Sequence, residues 1–173
     1  ESAVSGQTGW LLDAVAVATN SDVAQNLCND LARWGGEETF QHVIYTHLSE
    51  ISGIEQPLFE FVSLTLTQCE SVVAWHQHDS VRRVRAASDK VAHEIHRFEG
   101  LLRFAKLRDG CLYAPYGPDH NITMPLARHF QRRMPNEQWV IHDKKRDLAV
   151  AWDGSALHVV ADVSRNVETL LAD

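Results

Sequence analysis

Apolar residues recur at helical spacing through the first hundred positions, then at alternating spacing towards the C-terminus. Trp10–Thr19 predicts a short apolar helix. Asn20 and Ser21 are good helix caps, so a helix is expected over Asp22–Trp34, stopping at Gly35-Gly36. Phe40, Ile44, Leu48 and Ile51 share one face of a helix over Glu37–Ile51, and Gly53 breaks it. Pro57 suits the first turn of the next helix, which runs to about His76, although Phe59–Leu66 is also rich in strand-favouring residues. Asp79 or Ser80 then caps the longest helix, which continues to about Phe104. Its apolar stripe is Val81, Val84, Val91, Ile95, Phe98 and Leu102. A cationic row, Arg82, Arg85, His93, His96 and Arg103, is expected along one flank of it.

The texture changes after Asp109-Gly110. Strands are expected over Cys111–Tyr116, Gln138–Asp143, Leu148–Trp152 and Ala156–Val160. A loop covers Gly117–Asn121, and Pro125 opens a short helix to about Met134. The tight links Lys144–Asp147 and Asp153-Gly154 predict an antiparallel meander, and residues 166–172 a closing helix. The expected class is α+β: a mainly helical N-terminal lobe (1–105) and a small antiparallel-sheet C-terminal lobe (106–173), packed as a single domain over 1–173. The C-terminal lobe carries the basic loop, the short helix and the strand meander.

Composition sharpens this picture in three ways. At 45% hydrophobic and 23% charged, the chain suits a packed globular fold rather than a disordered one. No apolar run approaches the roughly 20 residues of a membrane helix, so no membrane partner is expected. Cys28, Cys69 and Cys111 lie far apart without a CxxC, which reads as ordinary thiols of a reducing, cytoplasmic compartment. The chain opens on Glu1 rather than Met, as a fragment or a processed product would.

The net charge of −7 hides an asymmetry. Residues 1–81 hold eleven acids and one base; residues 82–146 hold fourteen bases and seven acids; residues 147–173 hold five acids and one base. A cationic middle segment in an acidic chain points to an anionic partner, unless it neutralises the acidic part within the fold. Five of the ten histidines fall in that segment: His93, His96, His120, His129 and His142. The loop Pro118–Asn121 enters a helix whose N-terminus offers free N–H groups to a phosphate.

His93 and His96 stand in HEIH, which is not the HExxH of zinc proteases, and no metal or other cofactor is expected. No GxSxG, GxGxxG or P-loop is present. Histidine acid/base chemistry remains open, with His96 and His120 as the candidate pair. So does a structural role, in which these cations pair with Glu94, Glu99, Asp119 and Asp143. A third alternative is a small apolar ligand, or a docking partner, held by the helices of residues 9–76.

Several runs in this order carry a family resemblance. They are Ala92–Phe104, Leu112-Tyr113-Ala114, Pro118-Asp119-His120-Asn121, His129-Phe130 with Arg133, Trp139–Asp143 and the Ala-Val-Ala-Trp-Asp-Gly stretch at 149–154. Thr46–Glu50 with Gly53-Ile54-Glu55, and Gly9–Leu12, add to them. The chain resembles the bacterial domain of unknown function 4130 family over about residues 9–154, most specifically over 92–143. It departs from that pattern in residues 1–10 and at His93 and Phe98. The resemblance implies a role in DNA metabolism or repair, beside a radical-SAM protein or a uracil-DNA glycosylase. The positions that match are His96, Arg97, Arg103, Phe104, Pro118, Asp119, His120, Asn121, His129, Arg133, Trp139 and Asp143. The expected function is an accessory domain binding DNA or a nucleotide-like anion through a His/Arg cleft. Arg97, Arg103, His120, Asn121, His129 and Arg133 would make that contact, with Asp119, Trp139 and Asp143 as structural members.

Overall fold

The computed structural model describes residues 20–161. The helices expected at 10–19 and 166–172 lie outside the described residues. Four helices precede or interrupt a five-stranded sheet: α1 (Ser21–Leu48), α2 (Glu55–Gln68), α3 (Asp79–Leu101), β1 (Ala105–Lys106), β2 (Leu112–Tyr116), α4 (Thr123–Arg133), β3 (Trp139–Asp143), β4 (Leu148–Trp152) and β5 (Leu157–Ala161). The class is α+β.

Asn20 caps α1 as expected, its side-chain oxygen accepting from the Asp22 and Val23 amides at 3.0 and 3.1 Å. The two helices expected on either side of Gly35-Gly36 are the halves of α1, which is broken at Gly36 (φ 75°, ψ −178°). That conformation is close to glycine-only, so the sequence signal and the kink have one cause. α2 ends at Gln68, not His76: Cys69 takes a left-handed conformation, and Val72 and Val73 turn back to pack with Phe61, Val81 and Val84. Burial of two valines outweighs another two turns of helix. α3 stops at Leu101 rather than Phe104. Its cap position is His78, without a side-chain cap bond, while Asp79 pairs with Arg82 inside the first turn.

The sheet runs in the order β1-β2-β3-β4-β5. β3, β4 and β5 form the expected antiparallel meander, with Trp139 opposite Trp152 and Val150 opposite Val159. The sheet as a whole is mixed, because β2 and β3 pair in parallel, from Leu112 opposite Trp139 to Tyr116 opposite Asp143. Two parallel strands need a crossover, and the loop plus α4 supplies it. β1 is an added edge strand, antiparallel to β2.

α3 joins both cores. Its first turns bury Val81 and Val84 against Phe61 of α2. Further along, Val91, Ile95 and Leu102 meet Ile122, Leu126 and Phe130 from the α4 region, and Ala114, Trp139, Ile141 and Val150 from the sheet. The predicted stripe is thus the seam of the molecule.

Two glycines should respond oppositely to substitution. Gly36→Ala forces a non-glycine residue into a positive-φ extended conformation although a Cβ there has open space, and should cost about 1–3 kcal/mol. Gly100→Ala, in α3 and also with open space, should stabilise by about 0.5–1 kcal/mol. Urea midpoints at unchanged slope would read both.

Candidate functional site

The loop between β2 and α4 is tied to α3 by one buried carboxylate. Glu94 is only 6% exposed. Its Oε1 accepts from the Asp119 amide at 2.8 Å and from Arg97 Nη2 at 3.1 Å, and its Oε2 accepts from the His120 amide at 2.8 Å. Charge-assisted bonds of this kind make a buried carboxylate tolerable. They also mean that two amides of the loop leading into the next helix are occupied by the chain's own anion rather than open to a phosphate.

A second clasp holds the same loop from the other side. Arg146, in the turn between β3 and β4, donates to Glu50 Oε2 through Nε and Nη2 at 2.8 and 2.6 Å. It also donates to Asp143 Oδ2 at 2.8 Å and to the Asp119 carbonyl at 3.0 Å. Asp143 is fully buried. The Arg146 bond and charge, with help from Asn121, hold the Glu50 carboxyl below its ordinary value. Lys145 does the same to Asp119, bonding its Oδ1 at 2.6 Å. Sequence reasoning missed Arg146. Its signal was the i, i+3 spacing from Asp143 across a four-residue link.

The remaining candidates separate onto two flanks of α3. On one flank a cleft of about 320 Å³ is lined by Lys90, His93, Glu94, Arg97, Asp119 and His120. Lys90, at helical spacing from His93 and Arg97, is a member the sequence reading did not name. On the other flank Glu99 collects His129 Nδ1 at 3.1 Å and His96 Nδ1 at 3.7 Å, while Arg133 Nη1 donates to the Glu99 carbonyl at 3.5 Å. Arg103 lies just past the end of α3, donating to the Gly100 and Leu102 carbonyls. The expected single cationic row therefore divides, with His93 on one side and His96 and Arg103 on the other. His96 is two residues beyond Glu94, about 200° round the helix, and its side chain is 90% exposed. The geometry does not bring it to His120.

The other positions have structural partners. Asn121 donates to Glu50 Oε1 at 3.2 Å, and its amide to the Leu48 carbonyl at 2.9 Å. Trp139 is fully buried in the core. His142 is buried between the Tyr113 hydroxyl at 2.7 Å and Asp147 at 3.2 Å. The Phe61 cluster of the helical part is packed with valines. An open groove of about 380 Å³ lies instead between α1, α3 and α4, lined by Tyr45, Leu48 and Ile95 together with Glu99, Arg128 and Arg132.

The model of a family described as a domain of unknown function, DUF4130, matches residues 52–172. The match takes in α2 to β5, the Glu94 clasp and both flanks of α3, while α1 and the Glu50 member of the second clasp precede it. No curated protein and no solved structure matches the chain. No helix among the described residues is long and apolar enough to cross a membrane.

Arg146→Gln should cost about 3 kcal/mol at neutral pH, because it leaves the buried Asp143 without its cation. The penalty should shrink on acidification. Glu50 has a folded pKa below its ordinary 4.5, so its contribution is present above that pH and is lost as pH falls through the folded value. Denaturant melts of both proteins from pH 7 to pH 3 would show the two curves converging.

Proposed function

The chain belongs to the DUF4130 family of unknown function, and from that premise we propose that it binds the phosphate backbone of nucleic acid through α4 and the end of α3. The observation that carries this reading is a set of exposed guanidiniums, Arg128, Arg132 and Arg133 on α4 and Arg103 just past α3, with no carboxylate ion pair among the described residues. In a chain of net charge −7, such a group is a local reversal of sign. Exposed cations without a carboxylate partner keep most of their field for a polyanion. His96, an exposed ring beside Glu99 on the same flank, adds a donor when protonated, and sequence matching also picked it out.

The groove beside Arg128 and Arg132 favours a single strand over a duplex. Tyr45, Leu48 and Ile95 in its lining offer an apolar seat for one unstacked base, the arginines take the flanking phosphates, and Glu99, which also lines it, faces His129 and His96. Such a domain would deliver or hold a strand for a DNA-acting enzyme. A radical-SAM protein or a uracil-DNA glycosylase, the partners that the family resemblance implies, would be suited to that arrangement, as would a cytoplasmic setting.

The test is binding of single- and double-stranded oligonucleotides over a salt series. The wild type should prefer the single strand and weaken steeply with salt. Arg128→Gln/Arg132→Gln should bind about tenfold or more weakly at low salt, with a log–log slope shallower by about 0.7 per lost contact. Binding that ignores salt and tolerates the double substitution would refute the proposal.

A further inference from the structure

The cleft on the opposite flank of α3 holds a different set of donors. His93 Nδ1 lies 2.7 Å from the Asp89 carbonyl, and His120 Nδ1 lies 2.9 Å from the Ser49 carbonyl. A carbonyl oxygen only accepts, so each Nδ1 carries a hydrogen and each uncharged ring presents Nε2 with its lone pair. Neither Nε2 has a hydrogen-bond or ion-pair partner among the described residues. Both rings line the same cleft, with the Lys90 ammonium and the Arg97 guanidinium.

The two carboxylates lining the cleft are held by donors of the chain, and the Asp119 charge also acts on His120 and Arg97. Glu94 spends both oxygens on two amides and on Arg97. Asp119 is bonded to Lys145. Arg97 uses one amino group on Glu94 and lies over the Phe98 ring at 5.0 Å, with the rest of its fork exposed. Lys90 makes no ion pair among the described residues.

We infer that this cleft binds a phosphate monoester group. The structural juxtaposition is of two imidazoles, both turned to offer Nε2, with one ammonium and one guanidinium. A monoester suits it better than a diester or a carboxylate for a chemical reason. Its second ionisation falls near pH 6, so its P–OH can donate to a neutral Nε2, or its dianion can accept from a protonated one. A phosphodiester has no such proton. A carboxylate ionised at neutral pH has no proton to give the two Nε2 acceptors, whereas a phosphate monoester has three terminal oxygens for Lys90 and Arg97 and, as the monoanion, a P–OH for an imidazole. The cleft volume of about 320 Å³ is at the small end of ligand sites, enough for a phosphoryl group with a sugar or a strand end.

This inference does not depend on the nucleic-acid surface, because the two sites use different side chains. Calorimetry with the full chain would test it, using inorganic phosphate, thymidine 5′-monophosphate, thymidine and acetate, and a short oligonucleotide with and without a 5′-phosphate. Phosphate and the monophosphate should bind, thymidine and acetate should not. The oligonucleotide arm separates a free nucleotide from a strand end: a strand-end site gains affinity with the 5′-phosphate, and a nucleotide site prefers the mononucleotide. Lys90→Gln/His93→Gln, both at exposed positions, should weaken phosphate binding about tenfold or more, as expected for losing one charged contact, at an unchanged thermal midpoint. Arg128→Gln/Arg132→Gln should leave phosphate affinity intact. Long-range proton–nitrogen spectra should show His93 and His120 protonated at Nδ1 when uncharged, and both Nε2 resonances moving with phosphate. Thymidine binding as well as its monophosphate, or wild-type phosphate affinity in Lys90→Gln/His93→Gln, would overturn the inference.

Discussion

The bond from Glu94 to the Asp119 and His120 amides is the constraint on which the C-terminal half of the molecule rests. A carboxylate on the edge of an apolar stripe is costly to bury alone. With two amides and one guanidinium it becomes a clasp, and the loop leading into α4 is pinned across α3. That pinning places the His120 ring beside His93 and Arg97. It also sets where α4 starts, and hence where Arg128, Arg132 and Arg133 emerge. One interaction therefore positions both of the charged surfaces, although they face different ways.

Arg146 does for the far side of the loop what Glu94 does for the near side. It bridges the turn after α1, the end of β3 and the loop backbone through Glu50, Asp143 and the Asp119 carbonyl. A planar fork with several donors can hold three acceptors at once, where a lysine ammonium could not match the geometry. The loop is gripped from α3 and from the sheet, so it belongs to the rigid frame rather than to a mobile rim.

Much of the fold could be read from local signals because local physics decides it. Gly36, Asn20 and the Val81–Leu102 stripe each act through backbone freedom, a cap or a periodic face. What could not be read depended on contacts distant in sequence. α2 stops at Gln68 because Val72 and Val73 have a core to enter. The sheet is mixed because the loop and α4 return the chain beside β2. Among the candidates, Arg97 and His120 do share a cleft, and His96, Arg103, His129 and Arg133 gather at the other flank. Their division follows from two anchors on α3: Glu94 holds Arg97 and the His120 amide on one flank, and Glu99, five residues and about 140° further round, holds His96 and His129 on the other. Lys90 and Arg146 were missed for different reasons: one looked like an ordinary solvated lysine, and the other reaches, besides Asp143, residues 27 and 96 positions away.

A structural role accounts for part of the arginine surface and leaves a remainder. Arg132 and Arg133 occupy the last turn of α4, and Arg103 follows the end of α3. Cations there favour the negative end of a helix dipole by about 0.3–1 kcal/mol each. Arg128 has no such excuse: it lies in the middle of α4, exposed and, among the described residues, without a partner. Nor does the dipole consume a charge, since a guanidinium near a helix end still projects its field into solvent. Stabilisation of the helices explains why three of these cations are tolerated where they are. It does not explain why a fourth is added beside the groove in a chain that is acidic overall; the proposed single strand, with one unstacked base, would account for both the charge and the groove.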